Sequence, residues 1–262
     1  MKKCIPFKIN TRISITTLAL SLSAGAVFAQ TNLVVNGSFE TPGGGFQTFP
    51  GWFIGPADNN SNFGVTNYPD VAEQGTNYAY FHGNPTDDSQ DCLGQTVNLI
   101  VGAQYTVSFY LATDGTTLNS GAAMWAVIGP SFGIDYSQDL SLVAFLPNSS
   151  NAIPYQKFTT NFTATASSPI LSFHGIDATS SILLDNISLT LVVPQLSVRH
   201  SSPNSLVFTW TNQVISYLLQ TNASLRTTNW VTLTNTPVTV GSSNQIVLPA
   251  PASSVFYRLT AP

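Results

Sequence analysis

The chain has 262 residues, 8% of them charged and 43% hydrophobic, and a formal net charge of -4. That charge is unevenly placed: Gln30 to Val193 carries twelve acids and one base, Lys157, a net of -11, whereas Pro194 to Pro262 carries Arg199, Arg226, Arg258 and no acid, a net of +3. The acidic stretch argues against nucleic acid or anionic membrane as a partner, because both require a positive surface, and the break near Pro194 marks a boundary between two expected modules.

Residues 1 to 29 read as an export signal. Lys2, Lys3, Lys8 and Arg12 precede an apolar run from Ile13 to Val27, which ends in Val27-Phe28-Ala29. The remaining chain is expected to be secreted or held at the cell surface as a monomer. No later segment approaches the roughly 18 apolar residues of a membrane span, so no membrane insertion is expected. Cys4 falls within the signal, which leaves Cys92 alone and without an intrachain disulfide.

From there on the pattern is that of strands. Apolar residues alternate or run briefly, and Gly, Pro, Asn, Ser and Thr interrupt them at short intervals. The expected strands are Leu33 to Phe39, Tyr78 to His82, Gly94 to Leu99, Tyr105 to Leu111, Met124 to Ile128, Leu140 to Phe145, Phe158 to Thr165, Ile170 to His174 and Ile182 to Leu191. In the fourth of these, Tyr105, Val107, Phe109 and Leu111 share one face, and Thr106, Ser108 and Tyr110 the other. Gly43 to Asn77 reads as a long loop region. The tail offers Leu196 to His200, Leu206 to Thr211, Tyr217 to Thr221, Trp230 to Thr234, Gln245 to Leu248 and Val255 to Leu259, with Trp210, Trp230 and Tyr257 as core candidates. The fold class is therefore all-β: residues 30 to 193 form one sandwich, expected to fold alone, and residues 194 to 262 a second, smaller one.

Several runs in the first sandwich resemble a known architecture. Asn32-Leu-Val-Val-Asn-Gly-Ser-Phe-Glu40 is followed by Pro50-Gly51-Trp52, then Tyr78-Ala-Tyr-Phe81, Leu93-Gly-Gln-Thr-Val97, Gly102 to Phe109 and Leu184-Asp-Asn-Ile-Ser-Leu189. Together they resemble the galactose-binding-like jelly rolls, which include bacterial carbohydrate-binding modules and the cell-wall family called domain of unknown function 642. The tail resembles a small C-terminal β-module of bacterial secreted proteins and ends in Phe256-Tyr-Arg-Leu259. The resemblance implies a polysaccharide or glycan partner.

Sugar recognition needs flat apolar surface together with amides. The loop region supplies both in Trp52, Phe53, Phe63 and Tyr68, with Asn59 and Asn67 among them, and these are the candidate ligand-binding residues. Trp52 has a second reading, as a plug of the core. In the resembling modules a glutamate and an aspartate at the positions of Glu40 and Asp185 hold a structural Ca²⁺, with carbonyls near Gly75 and Thr76 as further ligands. On a regular strand Asp185 would share a face with Ile187 and Leu189, where a lone carboxylate is costly and Ca²⁺ would accept it. The alternative is that backbone amides and water satisfy both carboxylates.

Catalytic readings find less support. Gly129-Pro-Ser-Phe-Gly133 matches a nucleophile elbow in letters, but no helical pattern follows it, and His82, His174 and His200 are scattered. The expectation is a non-catalytic protein with no catalytic residues. Two alternatives are a structural or adhesive surface protein and a hydrolase built around Ser131.

Overall fold

Alternation at period two makes each strand two-faced, and two such sheets bury their apolar faces against each other. The computed structural model describes residues 30–41, 50–54, 63–67, 71–82, 92–114, 123–130, 140–146, 151–176, 181–201 and 204–261. Among the described residues, ten strands build the first sandwich: β1 (Phe53–Ile54), β2 (Phe63–Asn67), β3 (Asn77–His82), β4 (Cys92–Thr96), β5 (Gln104–Thr113), β6 (Ala123–Gly129), β7 (Leu140–Phe145), β8 (Ile153–Thr163), β9 (Ile170–Ile176) and β10 (Ser181–Leu191). One sheet runs β1-β4-β9-β6-β7 and the other β2-β3-β10-β5-β8. This is a jelly roll, and the described residues contain no helix.

Between the sheets lie Phe81, Leu93, Val107, Phe109, Leu111, Met124, Leu171, Phe173, Leu184 and Leu189, all essentially inaccessible to solvent. The rings of Phe109 and Phe173 meet edge to face at 5.1 Å, an arrangement favoured by their quadrupoles. Gln95 is a buried polar residue in this layer. Its amide donates to the carbonyls of Val35 (2.9 Å) and Gly51 (2.6 Å) and accepts from the Val35 amide (2.8 Å), which ties the N-terminal segment to β4.

That segment departs from the expected strand over Leu33 to Phe39. It forms turns, with Asn36 at φ 52° and Phe39 at φ 58°. Contact with β10 is made through isolated bonds, Leu33 amide to Leu189 carbonyl (2.8 Å) and Ile187 amide to Gly37 carbonyl (2.9 Å). A β-carbon on Gly37 would overlap the Ile187 carbonyl, so the glycine of the Asn-Gly-Ser-Phe-Glu run is required by close approach. The region read as a single long loop contains β1 and β2, short strands at the sheet edges.

The second sandwich comprises β11 (Ser197–Ser201), β12 (Ser205–Thr211), β13 (Leu218–Asn222), β14 (Val231–Thr232), β15 (Val238–Val240), β16 (Ser243–Pro249) and β17 (Phe256–Thr260). Its sheets run β11-β12-β16-β15 and β14-β13-β17. Phe208, Trp210, Tyr217, Leu219 and Ile246 form its buried core, with Tyr257 packed against it. Trp230 is not in that core. Its half-buried ring lies 4.3 Å from the Arg258 guanidinium, and Arg258 Nε donates to Gln220 (2.8 Å). Ile215 packs against the cores of both sandwiches, and Thr31 to Pro262 form one unit.

Candidate functional site

The outer face of the β2-β3-β10-β5-β8 sheet carries an unusual set of side chains. Ala79, Phe81, Phe109 and Leu111 point into the core, so their neighbours Tyr78, Tyr80, Tyr110 and Ala112 point outward. Tyr78, Ala112 and Leu183 form a separate apolar cluster on that face, with Ala72, Tyr80 and Tyr155 packed against it. Register then defines rows across the strands. Tyr80, Leu183 and Ala112 stand side by side, as do Asp185, Tyr110 and Lys157. Next come Ser188, Ser108 and Thr159, followed by Thr190, Thr106 and Asn161.

The face therefore changes along the strands from aromatic to hydroxyl-rich. Tyr80, Tyr110 and Tyr155 are half-buried, and Lys157, Thr159 and Asn161 are exposed. Lys157 lies 5.6 Å from the Tyr110 ring centroid, and Thr106 donates to Asn161 (2.7 Å). The Tyr155 hydroxyl is buried and has no hydrogen-bond partner among the described residues. Burial, followed by the charge of Asp185, pushes its pKa well above the usual phenol range. From Ala112 to Thr106 the face extends over about 20 Å at about 3.4 Å per residue.

Asp185 lies under one end of this face, and its position corrects the expectation that it would share a face with Ile187 and Leu189. Ile182 and Leu184 point into the core, as do Ile187 and Leu189. The change of phase is absorbed by a bulge between Asp185 and Ser188, with Asn186 at φ 49°. Asp185 therefore points outward, yet it is 0% exposed. Its Oδ2 accepts from the amides of Glu73 (2.9 Å) and Gln74 (2.9 Å), and its Oδ1 from the Asn186 amide (2.6 Å). Burial pushes its pKa up to about 6 despite these donors, with Glu73 adding repulsion.

Glu40 grips the same loop two residues further on. Its Oε1 accepts from the amides of Thr76 (2.7 Å) and Asn77 (2.7 Å), and its Oε2 from the Thr76 hydroxyl (3.2 Å). Partial burial opposes its charge, but the amides of Asn77 and Thr76 hold its pKa below the ordinary value. Gly75, at φ 74°, passes so close that a β-carbon there would overlap the Glu40 carboxyl group.

All four residues expected to hold calcium thus meet at one loop. The donor set does not suit a cation in this arrangement, because loop amides occupy carboxylate lone pairs that a cation would need. Among the described residues, no group of three or more His, Cys, Asp or Glu is placed to hold a metal ion.

Of the residues expected to form a sugar platform, the described ones lie on different parts of the sandwich. Trp52, 8% exposed, is a core residue: its ring packs on Phe39 (5.8 Å) and Phe173 (6.2 Å), and its Nε1 donates to the Asn36 carbonyl (3.0 Å). Phe53, 38% exposed, stands opposite Gly94 at the edge of one sheet. Phe63 and Asn67 pair with Phe81 and Asn77 at the edge of the other. Asn59 and Tyr68 lie outside the described residues, as does Ser131. The tyrosine face was missed, although its signal was the second phase of the alternation already seen in β5.

On the opposite sheet, Ser172 Oγ and His174 Nε2 lie 2.9 Å apart, both buried. Burial pushes the His174 pKa down to about 4.

No profile of a known protein family and no curated protein matches this chain. Among solved structures it is similar to a family 16 carbohydrate-binding module at 20% identity and TM-score 0.41, covering 61% of this chain and 99% of that one. It is also similar to a family 61 module solved with β-1,4-galactotriose, at 16% identity and TM-score 0.45, covering 62% and 100%. A third is the K1 cleaved adhesin domain of Lys-gingipain from Porphyromonas gingivalis W83, at 16% identity and TM-score 0.43, covering 60% and 96%. These similarities describe fold alone.

Proposed function

We propose that this is an exported, non-catalytic protein that binds a neutral polysaccharide on the outer face of the β2-β3-β10-β5-β8 sheet. The supporting observation is the juxtaposition on that face of Tyr80, Tyr110 and Tyr155 with the hydroxyl and amide rows of Ser108, Thr106, Thr159 and Asn161. Aromatic rings take the CH face of a pyranose, and the neighbouring rows exchange hydrogen bonds with its hydroxyls. Lys157 is the only base between Gln30 and Val193, so an anionic chain would meet a net negative sandwich, and a neutral one suits it better. The accessible rows, from Tyr110 and Lys157 to Thr106 and Asn161, run for about 14 Å at about 3.4 Å per residue and accept an internal stretch of a chain without requiring its end.

Affinity is expected to be modest. A stacked ring covering about 100 Å² contributes about 2.5 kcal/mol at the usual transfer coefficient, so two rings with a few hydrogen bonds place binding between about millimolar and tens of micromolar. Isothermal titration against a panel of neutral and acidic polysaccharides tests this. Tyr110→Ala or Tyr80→Ala should weaken binding of the preferred neutral polymer by about tenfold or more, while Phe53→Ala on the other sheet leaves it unchanged. No binding to any polymer, or loss with Phe53→Ala but not with the tyrosine variants, would defeat the proposal.

A further inference from the structure

Two carboxylates 145 positions apart in sequence converge on one short loop, which gives them four backbone amides. Asp185 takes the amides of Glu73 and Gln74; Glu40 takes the amides of Thr76 and Asn77. Gly75 stands between the two pairs in a left-handed conformation, and a side chain there would displace Glu40. Asn186, next to Asp185, donates its side-chain amide to Glu73 (2.7 Å) and closes the loop from a third side. Ala72, immediately before the loop, packs on the Tyr78, Ala112 and Leu183 cluster.

We infer that Glu40 and Asp185 are the two acceptors of an all-protein clamp that holds the backbone of Glu73 to Asn77, seats Ala72 against the tyrosine face, and needs no metal ion. Amide hydrogens and a cation compete for the same carboxylate lone pairs. A loop that turns four amides toward two carboxylates has provided the charge compensation that a bound cation would supply. The two carboxylates are positioning residues: they set the wall of the face and do not touch a ligand. Only the consequence for the tyrosine face rests on the sugar-binding reading, whereas the clamp itself is independent of it.

The test is amide hydrogen exchange, followed by NMR on the full chain, together with thermal melting in EDTA and in millimolar calcium chloride. In EDTA the wild-type amides of Glu73, Gln74, Thr76 and Asn77 should exchange slowly, and neither chelator nor calcium should move the melting temperature. Asp185→Ala should speed exchange at Glu73 and Gln74, and Glu40→Ala at Thr76 and Asn77, each by about tenfold, the factor expected for one hydrogen bond of ordinary net strength. Thr76→Val, which removes the hydroxyl's bond to Glu40 and the one it accepts from the Asn77 side chain but keeps both carboxylates, keeps the test open if either alanine variant fails to fold. It should speed exchange at Thr76 and Asn77 and leave Glu73 protected. Loss of wild-type protection in EDTA, with recovery in calcium, would overturn the inference and make these residues cation ligands. Fast exchange at all four amides in every buffer would also overturn it. None of these readouts needs a sugar, so an absence of polysaccharide binding would defeat the proposed function and leave the clamp standing.

Discussion

Single residues show how environment, more than residue type, decides a role. Trp52 and Phe53 are adjacent and both aromatic, yet one fills the core and the other lies at a sheet edge. The sequence left Trp52 open between those roles, and the hydrogen bond from its indole to the Asn36 carbonyl fixes it inward. His174 allows a prediction with a definite sign. It is buried beside Ser172 on its own strand, with Cys92 opposite on β4 and Trp125 opposite on β6. Burial lowers its pKa from 6.5 to about 4. The unfolded chain therefore takes up a proton at higher pH than the folded one, and the stability this group contributes at neutral pH is lost as pH falls from 6.5 toward about 4. Denaturant titrations of wild type and His174→Gln across that window should show the wild type losing more stability. Parallel curves would refute this account of His174.

Among elements, β10 positions the buried carboxylate of Asp185. Its apolar periodicity was legible, and so was its length, but the single-residue bulge was not. The pattern Ile182, Leu184, Ile187, Leu189 has an odd step in the middle, and that step was the available signal. A regular strand places Asp185 in the core; the bulge places it under a loop 110 positions away in sequence, which local spacing cannot foresee. The same limit applied to the tyrosine face, because Tyr80, Tyr110 and Tyr155 lie on three strands brought together by sheet order. Asn186, at φ 49°, is the hinge of the bulge. Asn186→Val should destabilise the protein by about 1 to 2 kcal/mol more than Asn186→Gly, since a β-branched residue resists the left-handed region that glycine enters freely. Equal effects of the two substitutions in urea denaturation would show that the bulge does not depend on this conformation.

At the scale of the whole molecule, the charge break near Pro194 coincides with the change from one sandwich to the other, between β10 and β11. Each sandwich has its own core, and Ile215 belongs to the margin of both. Val214 also packs on Gly102 at 3.6 Å from where a β-carbon would stand. Among the described residues the second core has five buried side chains, and small cores of that kind supply little stability alone. Calorimetry of the full chain should give a single transition, and Ile215→Asp should split it, the second sandwich melting first. One unchanged transition in both proteins would show that this contact does not couple them.

Backbone NMR of the full chain, during titration with the neutral polysaccharide it prefers, tests directly whether the tyrosine face is where that polymer binds. Binding on that face should concentrate shift changes at Tyr80, Ser108, Tyr110, Thr159 and Asn161. Changes confined to the segment from Trp52 to Tyr68, or the absence of any change with every polymer tried, would contradict it.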